Sequence, residues 1–386
     1  MAVSKAPEMA RLAARELEAL INALEEPAEA QARVLEGLLR IYVRTGLGRE
    51  HGLEEDMGLE EYRAVLPPRC YDAFRPYVVR VLKGQVKELL AEKPVFFGIT
   101  SGTTGQPKLV PITSTDAELR ARVMAACLAW LTARWGLEGV LGSPCLAPCL
   151  PSRVSTIRLR GREVPCGYIS GINAEIMARY LGLEEALRPY LDEVNAIGPG
   201  ISRADWERRF QAALRAVEGR DVKVAVGAGP ALWMFARWLR RVKGAWPREL
   251  WDMELLLIAG VPHIQAAYVP ELAKYYGETA LPVELYGATE GLFAATLAEE
   301  PYLVPFYHAY LFEARVGRCV KMLHEMKAGE LGSLIVSTPV FPRYEIGDLV
   351  VCRADGLYFS VPGRDRWPVR FSARIAALVS ALASLL

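Results

Sequence analysis

Cysteine and histidine are both scarce, at seven and four in 386 residues. The histidines, His51, His263, His308 and His324, lie far apart, so neither a zinc ribbon nor a haem-attachment motif is encoded. Cys145 and Cys149 come nearest to a ligand pair, yet three residues separate them and no second pair follows, so they read as buried thiols. Cysteine this sparse also excludes a disulfide scaffold. Net charge is nearly absent: 46 Lys plus Arg face 45 Asp plus Glu, and the resulting +1 offers no long-range field to nucleic acid or an anionic membrane. No run approaches the ~18 apolar residues of a membrane span, and the apolar tail at 375–386 is too short. Residues 1–20 mix charge with apolar side chains and lack the uncharged stretch of a secretory signal, so a cytoplasmic protein is expected. Asn occurs three times and Gln five, while Arg outnumbers Lys by 36 to 10, the usage of a hot or GC-rich host.

Core-forming residues are plentiful. Apolar residues make up 52% and charged residues 24%, and the length suffices for one large or two ordinary domains. Between residues 8 and 42 apolar side chains recur at three and four spacing, for instance Leu17, Leu20, Ile21 and Leu24, which predicts two amphipathic helices broken near Pro27. A further helix is predicted over 77–90. Val95-Phe96-Phe97-Gly98-Ile99 then reads as a short buried strand. Thr115 and Glu118 have capping-box spacing ahead of a helix over 119–135. Strands are predicted at 222–226, 255–258, 283–286, 334–336 and 349–352, with helices at 231–242 and 268–276 among them. This alternation argues for an α/β fold with a largely parallel sheet. Asp355-Gly356, set between apolar runs, predicts a closing hairpin.

The densest chemistry follows the Val95 strand: Thr100-Ser101-Gly102-Thr103-Thr104-Gly105-Gln106-Pro107-Lys108. Its glycines permit tight turns with inward N–H groups, its hydroxyls add donors, and Lys108 adds a cation, a combination suited to a polyphosphate. A Walker loop would need Lys directly after the second glycine, and Gln106 and Pro107 intervene.

This loop resembles the signature of the adenylate-forming enzymes, Ser/Thr-Ser-Gly-Thr-Thr-Gly-x-Pro-Lys. Tyr286-Gly287-Ala288-Thr289-Glu290, Gly329-Glu330-Leu331-Gly332 and Tyr344-Glu345-Ile346-Gly347-Asp348 resemble that superfamily's later motifs, in the same order. The helical N-terminus, residues 96–113 and Gly167-Tyr168-Ile169-Ser170-Gly171 look most like the Gretchen Hagen family of acyl acid amido synthetases, and the likeness runs roughly from Glu16 to Arg366. The resemblance implies an α/β fold, the large N-terminal domain of an adenylate-forming enzyme with mixed sheets flanked by helices. It also implies an acid:amine ligase that uses ATP and Mg²⁺ on a small carboxylic acid and an amine.

In that setting Lys108 and Thr104, with Ser101, Gly102, Thr103 and Gly105, would hold the phosphates, and Glu290 would bind Mg²⁺. Gly260, Tyr286, Gly287, Ala288 and Thr289 would surround the adenine, and Asp348 would accept from the ribose hydroxyls. The family often has a double glycine where this chain has Gly260-Val261. The acyl pocket is expected among 145–172 and 227–233, with Tyr168 and Trp233 as walls. The motif's central arginine is Glu345 here, with Arg343 nearby.

Residues 1–362 are expected to form the large adenylation domain, its first 93 residues a mostly helical lead-in. Residues 363–386 would be a hinge remnant and one C-terminal helix, a contact for a partner subunit or a second copy. The family's small mobile domain, which supplies a lysine in much of the superfamily, has no counterpart in the 20 residues after Arg366. Two other readings stand beside the amide ligase: an acyl-CoA ligase, and a nucleotide- or acyl-adenylate-binding protein with weakened turnover.

Overall fold

The computed structural model describes residues 6–100, 108–140 and 142–383. They fall into two compact units: one holds Met1–Leu17, Val95–Ile112 and Ala117–Leu292, the other Glu18–Pro94, Thr113–Asp116 and Phe293–Leu386.

The chain forms β1 (Pro94–Thr100), β2 (Lys108–Thr113), β3 (Cys145–Leu146), β4 (Ser155–Leu159) and β5 (Arg162–Tyr168). Four of them make a mixed sheet in the order β2-β1-β5-β4, with β1 and β5 parallel and β4 and β5 a hairpin. β6 (Val224–Ala228), β7 (Leu255–Ala259) and β8 (Leu281–Ala288) then run parallel, with β3 beyond β6. These strands are apolar on both faces, as a parallel sheet covered by helices requires. Leu256 and Ile258 meet Leu232, Phe235 and Leu239 of the helix Gly229–Lys243 and Leu272 of the helix Val269–Tyr276 in one buried cluster. Each such side chain contributes about 1.5–3 kcal/mol on burial. Within this unit Glu16, 1% exposed, accepts from Arg122 Nε at 2.9 Å and ties the N-terminal helix to the helix Ser114–Trp135.

The chain passes from the first unit to the second within β9 (Gly291–Ala295), whose last residues pair with β10 (Val304–Pro305). β11 (Leu311–Val316), β12 (Cys319–Met322), β13 (Leu331–Ser337), β14 (Tyr344–Ala354) and β15 (Tyr358–Arg364) follow. They form a wholly antiparallel sheet in the order β12-β11-β13-β14-β15. The helices Ala6–Glu25 and Pro27–Tyr42 break at Pro27 as expected. The second belongs to this unit's core: buried Gln31 donates to the carbonyls of Tyr307 and Tyr310 and accepts from Phe312 N–H, each at 2.7 Å. The helix Trp367–Ala383 packs Val369 and Ala373 against Leu331, Leu349 and Val351, while Trp367, Phe371 and Ile375 stay exposed.

The mixed α/β architecture agrees with expectation, and four local readings are corrected. The sheet is largely parallel only in β3 and β6–β8, because the C-terminal strands are joined by short hairpins that force antiparallel pairing. The helix expected at 77–90 is Tyr71–Leu82, and Gly84 at φ +87 ends it in a conformation that no helix continues. Thr113 caps the helix Ser114–Trp135, its Oγ1 accepting from Asp116 N–H at 3.2 Å, while Thr115 N–H is taken by Glu92 at 2.7 Å. Arg343 is buried 2% exposed, with Nε and Nη2 on the two carboxylate oxygens of Glu313 at 2.9 Å, so its fork is fully engaged away from solvent. Cys149 is buried against Tyr190, and burial pushes its thiol up to about 11, whereas Cys145 is exposed. No group of three or more His, Cys, Asp or Glu suited to a metal occurs among the described residues.

Candidate active site

In the first unit, β8 carries Tyr286, Gly287 and Ala288 to its C-terminal end and turns through Thr289 and Glu290 into β9. Ligands of open α/β sheets gather at such strand ends. The turn is tight: a Cβ on Gly287 would lie 2.7 Å from the Gly291 carbonyl oxygen. Thr289 and Glu290 are each only 6% exposed, an unusual place for a turn carboxylate, and no cation pairs with Glu290 among the described residues.

Two neighbours fix this turn. Arg120, 3% exposed on the helix Ser114–Trp135, donates from Nη2 to the Thr289 carbonyl at 2.8 Å. Gly98 of β1 lies so near that a Cβ there would sit 2.3 Å from Thr289 Cγ2. Gly98→Ala should therefore push Thr289 aside, because a buried β-branched side chain has no rotamer in which to retreat. We expect a loss of about 1–3 kcal/mol in thermal melts; unchanged melting would show that β1 yields.

β1 ends at Thr100, whose Oγ1 is buried with no hydrogen-bond partner among the described residues, and β2 begins at half-buried Lys108. The strand that leads into the loop thus touches the turn that holds Glu290. Ser101, Gly102, Thr103, Thr104 and Gly105 lie outside the described residues. Gly260 follows β7 at φ +83, a conformation open to glycine, and His263 at φ +60 leads into a π-helical turn, Ile264–Tyr268. Burial pushes the Glu284 carboxyl up, and a hydrogen bond with Gln265 of that turn pulls it back. Tyr286 is half-buried; Trp233 packs against the core with Arg237 4.6 Å over its ring, and Tyr168 caps the helix Ile169–Tyr180.

The second unit carries Asp348 on β14 after Gly347 at φ +87. Its Oδ1 lies 3.3 Å from Arg364 Nη1, which also donates to the Ile346 carbonyl at 2.7 Å. Glu345 pairs with Arg315 at 3.2 Å.

Of the expected set, Lys108, Gly260 and Tyr286–Glu290 belong to the first unit and Asp348 to the second. Arg120, Gly98, Thr100 and Arg364 were not in that set. A motif search passes over Arg120 and Gly98 because arginine on an amphipathic helix and glycine in a strand carry no chemical signature by themselves, whereas Thr100 opens the hydroxyl-rich loop. The donors present fit a hard cation that arrives with phosphate: Glu290 is a single buried carboxylate without a protein counter-charge, and Mg²⁺ usually takes one or two carboxylates and completes its shell with waters and phosphates.

Comparison with known proteins bears on the fold. Residues 16–140 match the GH3 family N-terminal domain. The indole-3-acetic acid-amido synthetase GH3.15 of Arabidopsis thaliana is 30% identical over 94 residues, covering 24% of this chain and 16% of that protein. The chain therefore aligns with well under two thirds of this curated relative. The structure of AtGH3.15 acyl acid amido synthetase in complex with 2,4-DB superposes with a TM-score of 0.71 at 15% identity, covering 92% of this chain and 70% of that one. A 2-hydroxyisobutyryl-CoA ligase with 2-HIB-AMP and CoA gives 0.57 at 16% identity, over 89% of this chain and 78% of that one. No described helix is long and apolar enough to cross a membrane. Residues 16–140 are thus similar to the GH3 family N-terminal domain, and the described fold is that of the acyl acid amido synthetase and CoA ligase structures on which the chain superposes.

Proposed function

We propose that the chain is an ATP-dependent ligase that adenylates a small carboxylic acid and passes the acyl group to an amine or amino acid. The observation that carries this reading is the buried Thr289–Glu290 turn held against the strand that leads into the hydroxyl-rich loop. An acid oxygen attacks the α-phosphorus of ATP, the bond to the bridging oxygen breaks, and pyrophosphate departs. The amine nitrogen then attacks the acyl carbon and AMP leaves. Negative charge grows on the departing phosphates, so the chain's task is to place cations and donors around them.

Lys108, with the hydroxyls of Thr100, Ser101, Thr103 and Thr104, does this for the β- and γ-phosphates, and the N–H groups of Gly102 and Gly105 add donors. Thr104 belongs with Lys108 in the catalytic set. Glu290 holds Mg²⁺, which would neutralise phosphate charge. Gly260 and residues 286–289 take the adenine, with Tyr286 offering a stacking face, and Asp348 accepts from the ribose hydroxyls. Residues 1–362 act as the adenylation domain and 363–386 as a hinge segment and helix. The exposed Trp367, Phe371 and Ile375 are the surface we assign to contact with another subunit.

Pyrophosphate exchange across a panel of aromatic and aliphatic acids tests the reading, and no exchange with any acid overturns it in favour of a nucleotide-binding protein. Lys108→Ala should slow exchange at least about tenfold, ~1.4 kcal/mol; an unchanged rate would remove its phosphate role. The likeness to a CoA ligase favours one alternative acceptor. Offering amino acids and CoA to a preformed adenylate decides between nitrogen and thiol.

A further inference from the structure

We propose that Arg120 is a positioning residue that aims the Glu290 carboxylate at the metal site; this rests on the adenylation reading above. Glu290 sits in a turn, and a turn carboxylate ordinarily samples several backbone and side-chain states. Here the peptide unit joining Thr289 to Glu290 is held twice on its Thr289 side. The Thr289 side chain is wedged against β1 where Gly98 lacks a Cβ, and the Thr289 carbonyl accepts from the Arg120 guanidinium at 2.8 Å. With that peptide plane held, the N and Cα of Glu290 are placed, and its carboxylate moves only through its own φ and the side-chain torsions.

Arginine suits this task better than lysine. Its guanidinium is planar and permanently charged, with its donors in a rigid fork, so a single bond to a carbonyl also sets an angle. Burying a guanidinium is costly. The helix Ser114–Trp135 nevertheless brings Arg120 to an acceptor 169 residues further along the chain. Hydrogen bonds made to a metal ligand itself typically affect metal affinity about 10–100-fold, and a bond to the peptide that carries the ligand acts in the same direction.

The test measures ATP affinity by calorimetry with and without Mg²⁺, alongside pyrophosphate exchange, for the wild type, Arg120→Met and Arg120→Lys. Arg120→Met should leave Mg²⁺-free ATP affinity within about twofold and reduce the Mg²⁺-dependent gain about tenfold or more. Arg120→Lys should recover part of that gain, because an ammonium reaches the carbonyl without fixing its angle. A folded Arg120→Met protein that keeps the full Mg²⁺-dependent gain overturns the proposal and leaves Arg120 a stabilising residue. If Arg120→Met does not fold, Arg120→Lys decides: a Mg²⁺ midpoint shifted threefold or more supports the proposal, and one equal to the wild type overturns it. A wild type that exchanges no pyrophosphate sinks the adenylation reading itself, whereas active Arg120 variants with a normal Mg²⁺ midpoint sink only this inference.

Discussion

Glu313→Gln should destabilise the protein by about 3–5 kcal/mol, because it leaves the buried Arg343 guanidinium without its counter-charge and takes from half-buried Arg63 one of its two carboxylate partners. Glu313 is 1% exposed on β11. It accepts Arg343 in a two-pronged arrangement at 2.9 Å and Arg63 Nε on Oε1 at 2.9 Å. Arg343 Nη1 also donates to the Leu66 carbonyl at 2.7 Å, so one carboxylate organises the helix Leu59–Val65, the segment after it and β11. Glutamine keeps the volume but offers one acceptor oxygen and two donors, which then point at cations. Urea unfolding at neutral pH should register the loss, and the melting temperature should fall by roughly 4–6 °C for cooperative unfolding of a chain this long. The double variant Glu313→Met with Arg343→Met removes both charges and should regain much of the lost stability, since well-packed apolar side chains avoid the unpaired ion. A Glu313→Gln protein within 1 kcal/mol of the wild type would mean that water reaches these arginines.

Glu313 also illustrates what a sequence leaves hidden. In Leu311-Phe-Glu-Ala-Arg-Val316 a glutamate between apolar residues reads as the solvent face of a strand. Its partners lie 250 and 30 residues away, and only the packed fold brings them together. Arg120 is the same case on a helix, where its three-to-four spacing neighbours are unremarkable and the decisive contact is 169 residues distant. Local signals fare better. Pro27 marks the break between two helices, and Val95–Ile99 marks β1, because proline geometry and short apolar runs act over a few residues. Motif order along the chain is legible for a similar reason: backbone approach to phosphate demands glycine and small hydroxyls at set spacings, whatever surrounds them. The cap was misread by two residues because Thr113 and Thr115 both satisfy the pattern, and Glu92, 23 residues earlier, takes the second N–H.

Glu290→Gln should abolish most of the Mg²⁺-dependent gain in ATP affinity and slow pyrophosphate exchange by at least about 10²-fold, roughly 2.7 kcal/mol. The substitution keeps the size of the side chain and removes the charge that a hard cation needs. Its effect on stability should run the other way. A carboxylate 6% exposed, with no protein cation beside it among the described residues, is costly to desolvate, and a neutral amide lessens that cost. The ligand-free variant should therefore melt at or above the wild-type temperature while binding ATP normally in the absence of Mg²⁺. That opposition separates a lost ligand from a damaged fold, since a misfolded turn would lower both melting temperature and Mg²⁺-free affinity. Exchange that proceeds at the wild-type rate, with the wild-type Mg²⁺ midpoint, would strip Glu290 of its metal role. The carboxylate would then have to be explained as a structural group of the β8–β9 turn.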